Sequence, residues 1–198
     1  MQSTPDRRGD ILSAALACFV ARGIDASTIA EIRDRAGATT GSVYHFFEGK
    51  DAIVGALYVE VLRGYQRDLA ESLDGRASPR AFVRGVVEHY LSWVEGHADA
   101  ARFLFDARRA GAIASVEGEI AVANIESVRA LRSRMQRWIA TGEIRKMPTE
   151  LYVAILAGPA EAFARQWLAK RTKTDIRRAR GLLAAAAWSA LRGEAGEE

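Results

Sequence analysis

The chain has 198 residues, of which 49% are hydrophobic and 27% charged, a balance typical of a folded globular protein and unlike that of a disordered chain. Its single cysteine excludes an internal disulfide framework and favours a cytoplasmic protein. The net charge of +3 is compatible with a polyanionic partner, but residues 1–50 carry six basic and six acidic side chains, so a nucleic-acid function there must depend on geometry.

Membrane insertion and secretion are not expected. No apolar run reaches the roughly 18–20 residues that a membrane span requires. The apolar stretch 11–21 follows two arginines and superficially resembles a secretory leader. However, Asp6 and Asp10 interrupt the basic part, and Cys18 lies inside the apolar run. We therefore interpret this stretch as a helix in which Cys18 is a small buried side chain.

Capping residues and helical periodicity predict an all-α fold of about nine helices, without a credible alternating strand. Three prolines stand near the start of a predicted helix, where a missing N–H does no harm: Pro5, Pro79 and Pro148. A capping box formed by Thr28 and Glu31 opens the second helix, and Pro159 is expected to kink the eighth. The predicted segments are 5–22, 28–37, 41–47, 50–72, 79–97, 99–111, 116–141, 149–171 and 175–192.

Residues 28–47 have the anatomy of a helix-turn-helix. A helix of two to three turns ends at Gly37, a tight turn follows, and a second short helix begins. In such a motif the second helix enters the DNA major groove while the first crosses the backbone. The polar run 39–42 stands where the second helix begins, so its N–H groups and hydroxyls can face phosphates and base edges. Val43 and Phe47, four residues apart, are the expected buried side of that helix.

The segment 27–51 resembles the DNA-binding domain of TetR-family transcriptional regulators, and the resemblance extends over roughly residues 5–65. The residues that carry it are Thr28, Ile32, Ala36, Gly37, Gly41, Ser42, Val43, Tyr44, Phe46, Phe47 and Lys50. It implies a dimeric protein, in most members a repressor. A three-helix DNA-binding domain, residues 5–65, would precede a larger helical ligand-binding and dimerisation domain, residues 66–198, which binds a small inducer.

The same resemblance implies the roles of individual residues at the DNA. Phosphate contacts are expected from Thr28, Ser42, Tyr44 and Lys50, whereas Thr39, Thr40, Gly41 and His45 are expected nearest the bases. Other interpretations remain: the hydroxyls could act only as caps, Tyr44 could be a core aromatic, and His45 could simply face solvent. The recognition helix 40–47 contains no Arg or Lys for a bidentate guanine contact, so hydroxyls, Tyr, His and DNA shape would have to carry base readout.

Two polar residues interrupt otherwise apolar stripes of the C-terminal helices. His89 stands among Phe82, Val86 and Trp93, and Asn124 stands between apolar neighbours. Either a neighbouring protein group satisfies them, or they orient a largely apolar or aromatic effector inside a helical cavity. The candidate ligand-binding residues are His89, Trp93, Phe103, Phe105, Asn124, Phe163 and Trp167.

The last two helices, about 149–171 and 175–192, are the expected homodimer face. The alanine-rich run 182–188 allows close helix approach, and the family usually joins two such helices from each subunit into a four-helix bundle. Burial within one subunit is the alternative. Between these helices lies a basic run, which is either a solvated loop or a second nucleic-acid surface: Lys170, Arg171, Lys173, Arg177, Arg178 and Arg180.

Neither catalysis nor cofactor or metal binding is predicted. His89 and His97 are too far apart for a helical metal pair, and no nucleophile constellation or phosphate-binding glycine loop is present. The sequence therefore favours a ligand-responsive, homodimeric repressor that binds a pseudo-palindromic double-stranded DNA operator. The alternatives are a TetR-like activator, a helical lipid- or small-molecule-binding protein with little specific DNA binding, and, least supported, a helical enzyme.

Overall fold

The computed structural model describes residues 6–196, and its helices follow the predicted order. Helix bounds are α1 Arg7–Arg22, α2 Ile29–Arg35, α3 Thr40–Phe46, α4 Lys50–Ser72, α5 Pro79–Gly96, α6 Ala98–Arg109, α7 Glu117–Ala140, α8 Thr149–Leu168 and α9 Ile176–Leu191. Two short 3₁₀ turns, Ala114–Val116 and Glu194–Gly196, complete the set for this range. The only strand-like feature within it is an isolated bridge between Ile144 and Arg192, so the all-α prediction is confirmed. The predicted helix start at Pro5 lies outside the described residues.

Local capping chemistry fixes several helix ends. The Gly23 N–H donates to the Phe19 carbonyl at 2.8 Å and ends α1. Ser78 and Asp175 cap α5 and α9 by accepting hydrogen bonds from first-turn N–H groups. Helix α8 continues through Pro159, so the proline does not end it, and a kink there stays a prediction.

One compact unit combines residues 6–63 with residues 99–121. Its core is apolar and includes side chains from α1 to α4, together with Phe103 and Ala107 of α6. The Phe103 ring stacks on Phe19, with centroids 5.7 Å apart. The sequence assigned α6 to the second domain, whereas in the structure its apolar side chains complete the core of this N-terminal unit.

The second unit comprises residues 64–98 and 122–196. Helices α5, α8 and α9 pack against one another within it, and the Phe82 and Trp138 rings lie 5.5 Å apart. Helix α4 belongs to both units, since its residues up to 63 fall in the first and those from 64 in the second. None of the helices between residues 6 and 196 has the length and apolarity to cross a membrane.

Candidate functional site

Helices α2 and α3 form the predicted helix-turn-helix. The Thr28 hydroxyl accepts from the Glu31 N–H at 3.2 Å while the Glu31 carboxylate accepts from the Thr28 N–H at 2.9 Å, which confirms the capping box. Gly37 has φ +59°, a left-handed conformation that favours glycine and turns the chain between the helices. Val43 and Phe47 are buried at 0% and 5% exposure, so the predicted inner side of α3 is confirmed.

The opposite side of α3 presents polar groups at its N-terminus. The Thr39 hydroxyl accepts from the Ser42 N–H at 3.1 Å, so this side chain caps the helix. The Thr40 hydroxyl accepts from the Arg33 guanidinium at 3.2 Å. Apart from its chain neighbours and its own helix backbone, no atom of the described residues lies within 4 Å of the position that a Cβ on Gly41 would take. This end of the helix is therefore open to close approach by a partner.

Aromatic side chains follow on the next turn of α3. Tyr44 is 54% exposed, which excludes the alternative of a core aromatic. His45 is exposed and packs edge-on against the Phe46 ring, with centroids 4.9 Å apart. Phe46 is itself 40% exposed. The exposed face of α3 thus combines hydroxyls with rings and, as the sequence indicated, contains no basic side chain other than histidine.

Lys50 opens α4 and holds the loop between α1 and α2. Its ammonium group donates to the carbonyls of Ile24, Asp25 and Ser27 at 2.9, 3.0 and 3.2 Å. These three bonds use all three of its N–H donors. A phosphate contact by Lys50 therefore requires that at least one of them be released.

An aromatic cluster in the second unit contains two of the predicted ligand-binding residues. The Tyr65 ring of α4 lies 5.7 Å from the His89 ring, 5.9 Å from Tyr90 and 5.1 Å from Trp93, centroid to centroid. Next to Tyr65, the Gln66 amide donates to the Asn124 carbonyl oxygen at 3.2 Å, so Asn124 has a protein partner. We call Tyr65, His89, Tyr90 and Trp93 the aromatic cluster.

His89 differs from Asn124 because its buried ring nitrogen Nε2 has no hydrogen-bond partner in the part of the chain that the structure describes. Burial lowers the pKa of His89 below its ordinary value, and the positive charge of Arg76 acts in the same direction, while Asp68 opposes them. Burial and Arg76 therefore both favour the neutral form of the ring. A neutral, unpartnered imidazole nitrogen is the kind of group that fixes the orientation of a ligand in an apolar site.

The other predicted ligand-binding residues lie elsewhere. Phe103 is 2% exposed in the core of the N-terminal unit, where packing against Phe19 and Tyr58 accounts for its burial without a ligand. Phe105 is half-buried on the same helix. Phe163 and Trp167 are half-buried on α8, which packs against α5.

Helices α8 and α9 expose apolar side chains. Leu151 and Val153 of α8 are 46% and 40% exposed, and Leu182 of α9 is 62% exposed. The alanine-rich run divides between two environments, because Ala184 and Ala187 are buried within the subunit whereas Ala185 and Ala186 are exposed. Burial within one subunit therefore explains only part of the run.

The basic run 170–180 is partly neutralised within the chain. Arg177 pairs with Glu95 of α5 at 2.8 Å, and Arg180 pairs with the same carboxylate at 3.3 Å while also contacting Ser92. The pairing with Glu95 raises the pKa of the exposed Arg177. These two side chains thus connect α9 to α5, which weakens the case for a second nucleic-acid surface.

Comparison with known proteins assigns the helix-turn-helix to a family. Residues 11–57 match the model of bacterial regulatory proteins of the tetR family, a range that contains most of α1, both helices of the motif and the start of α4. Residues 11–57 therefore match the DNA-binding part of tetR-family regulators. Members of this family are transcriptional regulators and not enzymes.

Individual relatives agree with this assignment. The HTH-type transcriptional repressor KstR2 of Rhodococcus jostii is 39% identical over 85 residues, which cover 39% of this chain and 40% of that protein. The chain thus matches less than half the length of this relative. A TetR-family regulator of Marinobacter aquaeolei has a TM-score of 0.78 at 16% identity, with 95% of this chain and 96% of that one covered. FadR of Bacillus subtilis in complex with stearoyl-CoA has a TM-score of 0.77 at 19% identity, covering 91% and 97%.

Sequence reasoning missed two residues that the structure places at the candidate sites. Arg33 of α2 contacts Thr40, so a guanidinium lies at the start of the recognition helix although that helix contains none. Tyr65 contacts three rings of the aromatic cluster. The spacing of apolar residues carries no signal for either, because both contacts depend on how separate helices pack.

Proposed function

We propose that the protein is a homodimeric, ligand-responsive transcriptional repressor that binds a pseudo-palindromic DNA operator. The observation that carries this proposal is the division of α3 into a buried side, Val43 and Phe47, and an exposed polar side that begins at its N-terminus. A short helix fixed in this way can enter a major groove without rearrangement of its own unit. Such a protein acts on DNA in the cytoplasm.

At the operator, residues at the start of α3 read the bases and residues around them bind the phosphates. The nearest to the bases are Thr39, Thr40, Gly41 and His45, and the phosphate contacts come from Thr28, Ser42, Tyr44 and Lys50. Exposure of Tyr44 and the open surface at Gly41 support these roles. Thr28 retains its cap while its exposed side faces the DNA backbone. Arg33, which is paired with Asp34, places its guanidinium beside Thr40.

The effector binds at the aromatic cluster, where His89 orients it through Nε2. Trp93 belongs to this cluster and Asn124 lies next to it, while Phe163 and Trp167 lie on α8, which packs against the helix that carries His89. The ligand is largely apolar or aromatic. The stearoyl-CoA held by FadR of Bacillus subtilis supports an apolar body for the ligand. Helix α4 carries Tyr65 at the cluster and also Ile53 and Val54 in the core of the N-terminal unit. Repression is relieved only if the effector binds the two conformations of this helix with unequal affinity.

The second copy of the chain packs on α8 and α9, where the exposed side chains Leu151, Val153 and Leu182 supply apolar area. A dimer places two recognition helices on one duplex, so each half-site can be weak while the complex is tight. Buried and exposed side chains alternate along α9, which supports contact with a second subunit. A helix buried only within its own subunit would not leave Leu182 exposed to water.

Selection of bound fragments from a genomic DNA pool tests the proposal. The full chain should recover a short inverted repeat, and Tyr44→Phe should weaken binding about tenfold because it removes a hydroxyl from a phosphate. Thr40→Ala should weaken it and relax preference at one base position. Thr174→Ala, an exposed threonine before α9, is the matched control and should bind as the parent does. Absent or sequence-blind binding at physiological salt would refute the repressor and favour a helical small-molecule-binding protein.

A further inference from the structure

A cleft of about 330 Å³ lies on the second unit, beside the first turns of α5. Its lining residues are Arg76, Ser78, Arg80, Ala81, Arg84 and Glu88. None of them belongs to the aromatic cluster or to the helix-turn-helix. Half of the lining residues are arginines, and Glu88 is the one acidic residue among them. We call it the arginine cleft.

Arg76 is fixed in place before any ligand arrives. Its Nε donates to the Ser72 carbonyl at 3.0 Å and its Nη1 donates to the Ala81 carbonyl at 3.2 Å. A Cβ on Gly85 would lie 2.6 Å from Cζ and Nε of Arg76, so the guanidinium lies directly over this glycine. Two of its five N–H donors are used, and three remain for another partner.

The charges in the cleft are not balanced. Arg84 pairs with Glu88 at 3.0 Å. Arg80 is exposed and has no acidic partner among the residues that the structure describes. Three arginines against one glutamate leave a formal charge of +2 in one small cleft. Guanidinium groups placed together repel one another, and the repulsion is relieved when a dianion binds between them.

We propose that the arginine cleft binds the phosphate group of a small organic phosphate monoester. Such a group carries a charge of about −1.5 to −2 at neutral pH, which matches the excess charge of the cleft. Its tetrahedral oxygens accept paired hydrogen bonds from guanidinium groups such as those of Arg76 and Arg80. A volume of about 330 Å³ accommodates the phosphate with a small organic body. The site does not depend on the proposed function, since it involves neither the recognition helix nor the aromatic cluster.

Calorimetric titration of the full chain with glycerol 3-phosphate, at fixed ionic strength, tests the site. The parent should show saturable binding, and Arg80→Gln should weaken it about tenfold, the effect of one charge-assisted contact. This substitution removes no hydrogen bond within the protein, so folding should be unaffected. Gly85→Ala should weaken binding as well, because the new methyl group displaces the Arg76 guanidinium. Arg129→Gln, an exposed arginine on α7 outside the cleft, is the matched control and should bind as the parent does.

Three results would overturn the proposal. Equal binding by the parent and Arg80→Gln would place the phosphate elsewhere, for instance at α3. An equal loss in Arg129→Gln would mean that only the net charge matters. Tighter binding of succinate than of glycerol 3-phosphate would show that the cleft prefers a dicarboxylate. Inorganic phosphate, titrated in parallel, separates recognition of the phosphate group from recognition of the organic body. If inorganic phosphate and glycerol 3-phosphate bind with similar affinity, the cleft recognises the phosphate group itself.

Discussion

At the scale of single residues, His89 combines two properties that reduce stability. Its Nε2 is buried with no hydrogen-bond partner among residues 6–196, and the partial burial of the ring lowers its pKa. A buried polar atom without a hydrogen bond costs on the order of 1–3 kcal/mol. An apolar side chain at this position would avoid the cost, and the nearby positions 82 and 86 of the same helix are indeed Phe and Val. Because the folded protein gives Nε2 of His89 no hydrogen bond, this nitrogen is available to a ligand that forms one.

Replacing His89 by Phe should therefore stabilise the protein and abolish its response to effector. At neutral pH we expect a gain of about 1 kcal/mol in the free energy of unfolding, because the unpartnered nitrogen is removed from an aromatic environment. Chemical denaturation measures the gain, and operator release by effector measures the loss. His45→Phe, at an exposed histidine, is the matched control for stability and should change it by less than about 0.5 kcal/mol. A destabilised His89→Phe variant would mean that Nε2 has a partner in solution.

The pH dependence of stability gives a second test of His89. Its pKa is lowered in the folded state, so the unfolded chain takes up a proton more readily as the pH falls. The parent should lose stability as the pH falls below the ordinary histidine value of 6.5. Denaturation curves at pH 7.5 and 5.5 should show a smaller loss for His89→Phe than for the parent. Equal losses of stability in the parent and in His89→Phe would contradict a lowered pKa of His89.

At the scale of elements, the first turn of α3 contains a glycine at a position where alanine would favour the helix more strongly. Gly41 is the second residue of its helix, and a Cβ there would touch nothing within 4 Å. The glycine therefore has no packing role within the chain. Its lack of a side chain leaves room for the close approach of another molecule.

Gly41→Ala should separate stability from DNA binding. We expect stability to be unchanged or raised by up to about 0.5 kcal/mol, since alanine is the better helix former, while operator affinity falls about tenfold through a clash with the groove. Gly118→Ala is the matched control, because Gly118 is also the second residue of its helix and is equally open. The Gly118→Ala variant should gain about as much stability as Gly41→Ala while its operator affinity stays that of the parent. Unchanged operator affinity in Gly41→Ala would contradict the docking of α3.

Sequence alone predicted the elements well because their ends depend on residues a few positions apart. The capping box at Thr28 and the helix end at Gly23 are of this kind, and the four-residue spacing of Val43 and Phe47 fixed the exposed side of α3. Contacts between distant segments were not predictable. The pairing of Arg177 with Glu95 joins residues 82 apart, and the arginine cleft depends on how the turn after α4 folds over α5.

At the scale of the whole molecule, assembly decides whether the recognition helix is effective. Leu182→Glu should give a monomer by light scattering, because it places a charge on the proposed α8–α9 interface. Operator affinity should then fall about a hundredfold, since the second recognition helix no longer binds the same duplex. Ile125→Glu is the matched control, because Ile125 is 56% exposed on α7. A dimeric Leu182→Glu variant would place the interface on another surface.

The N-terminal unit is discontinuous along the chain, and this affects its synthesis. Its core needs Phe103 and Ala107 of α6 and Ile113 and Ile120 beyond them, in addition to residues before 64. A nascent chain that has emerged only as far as α4 therefore exposes the apolar surface that these side chains cover. Since chains are made from the N-terminus, the part of the gene product that would bind the chromosome cannot complete its fold until well over half of the polypeptide has left the ribosome.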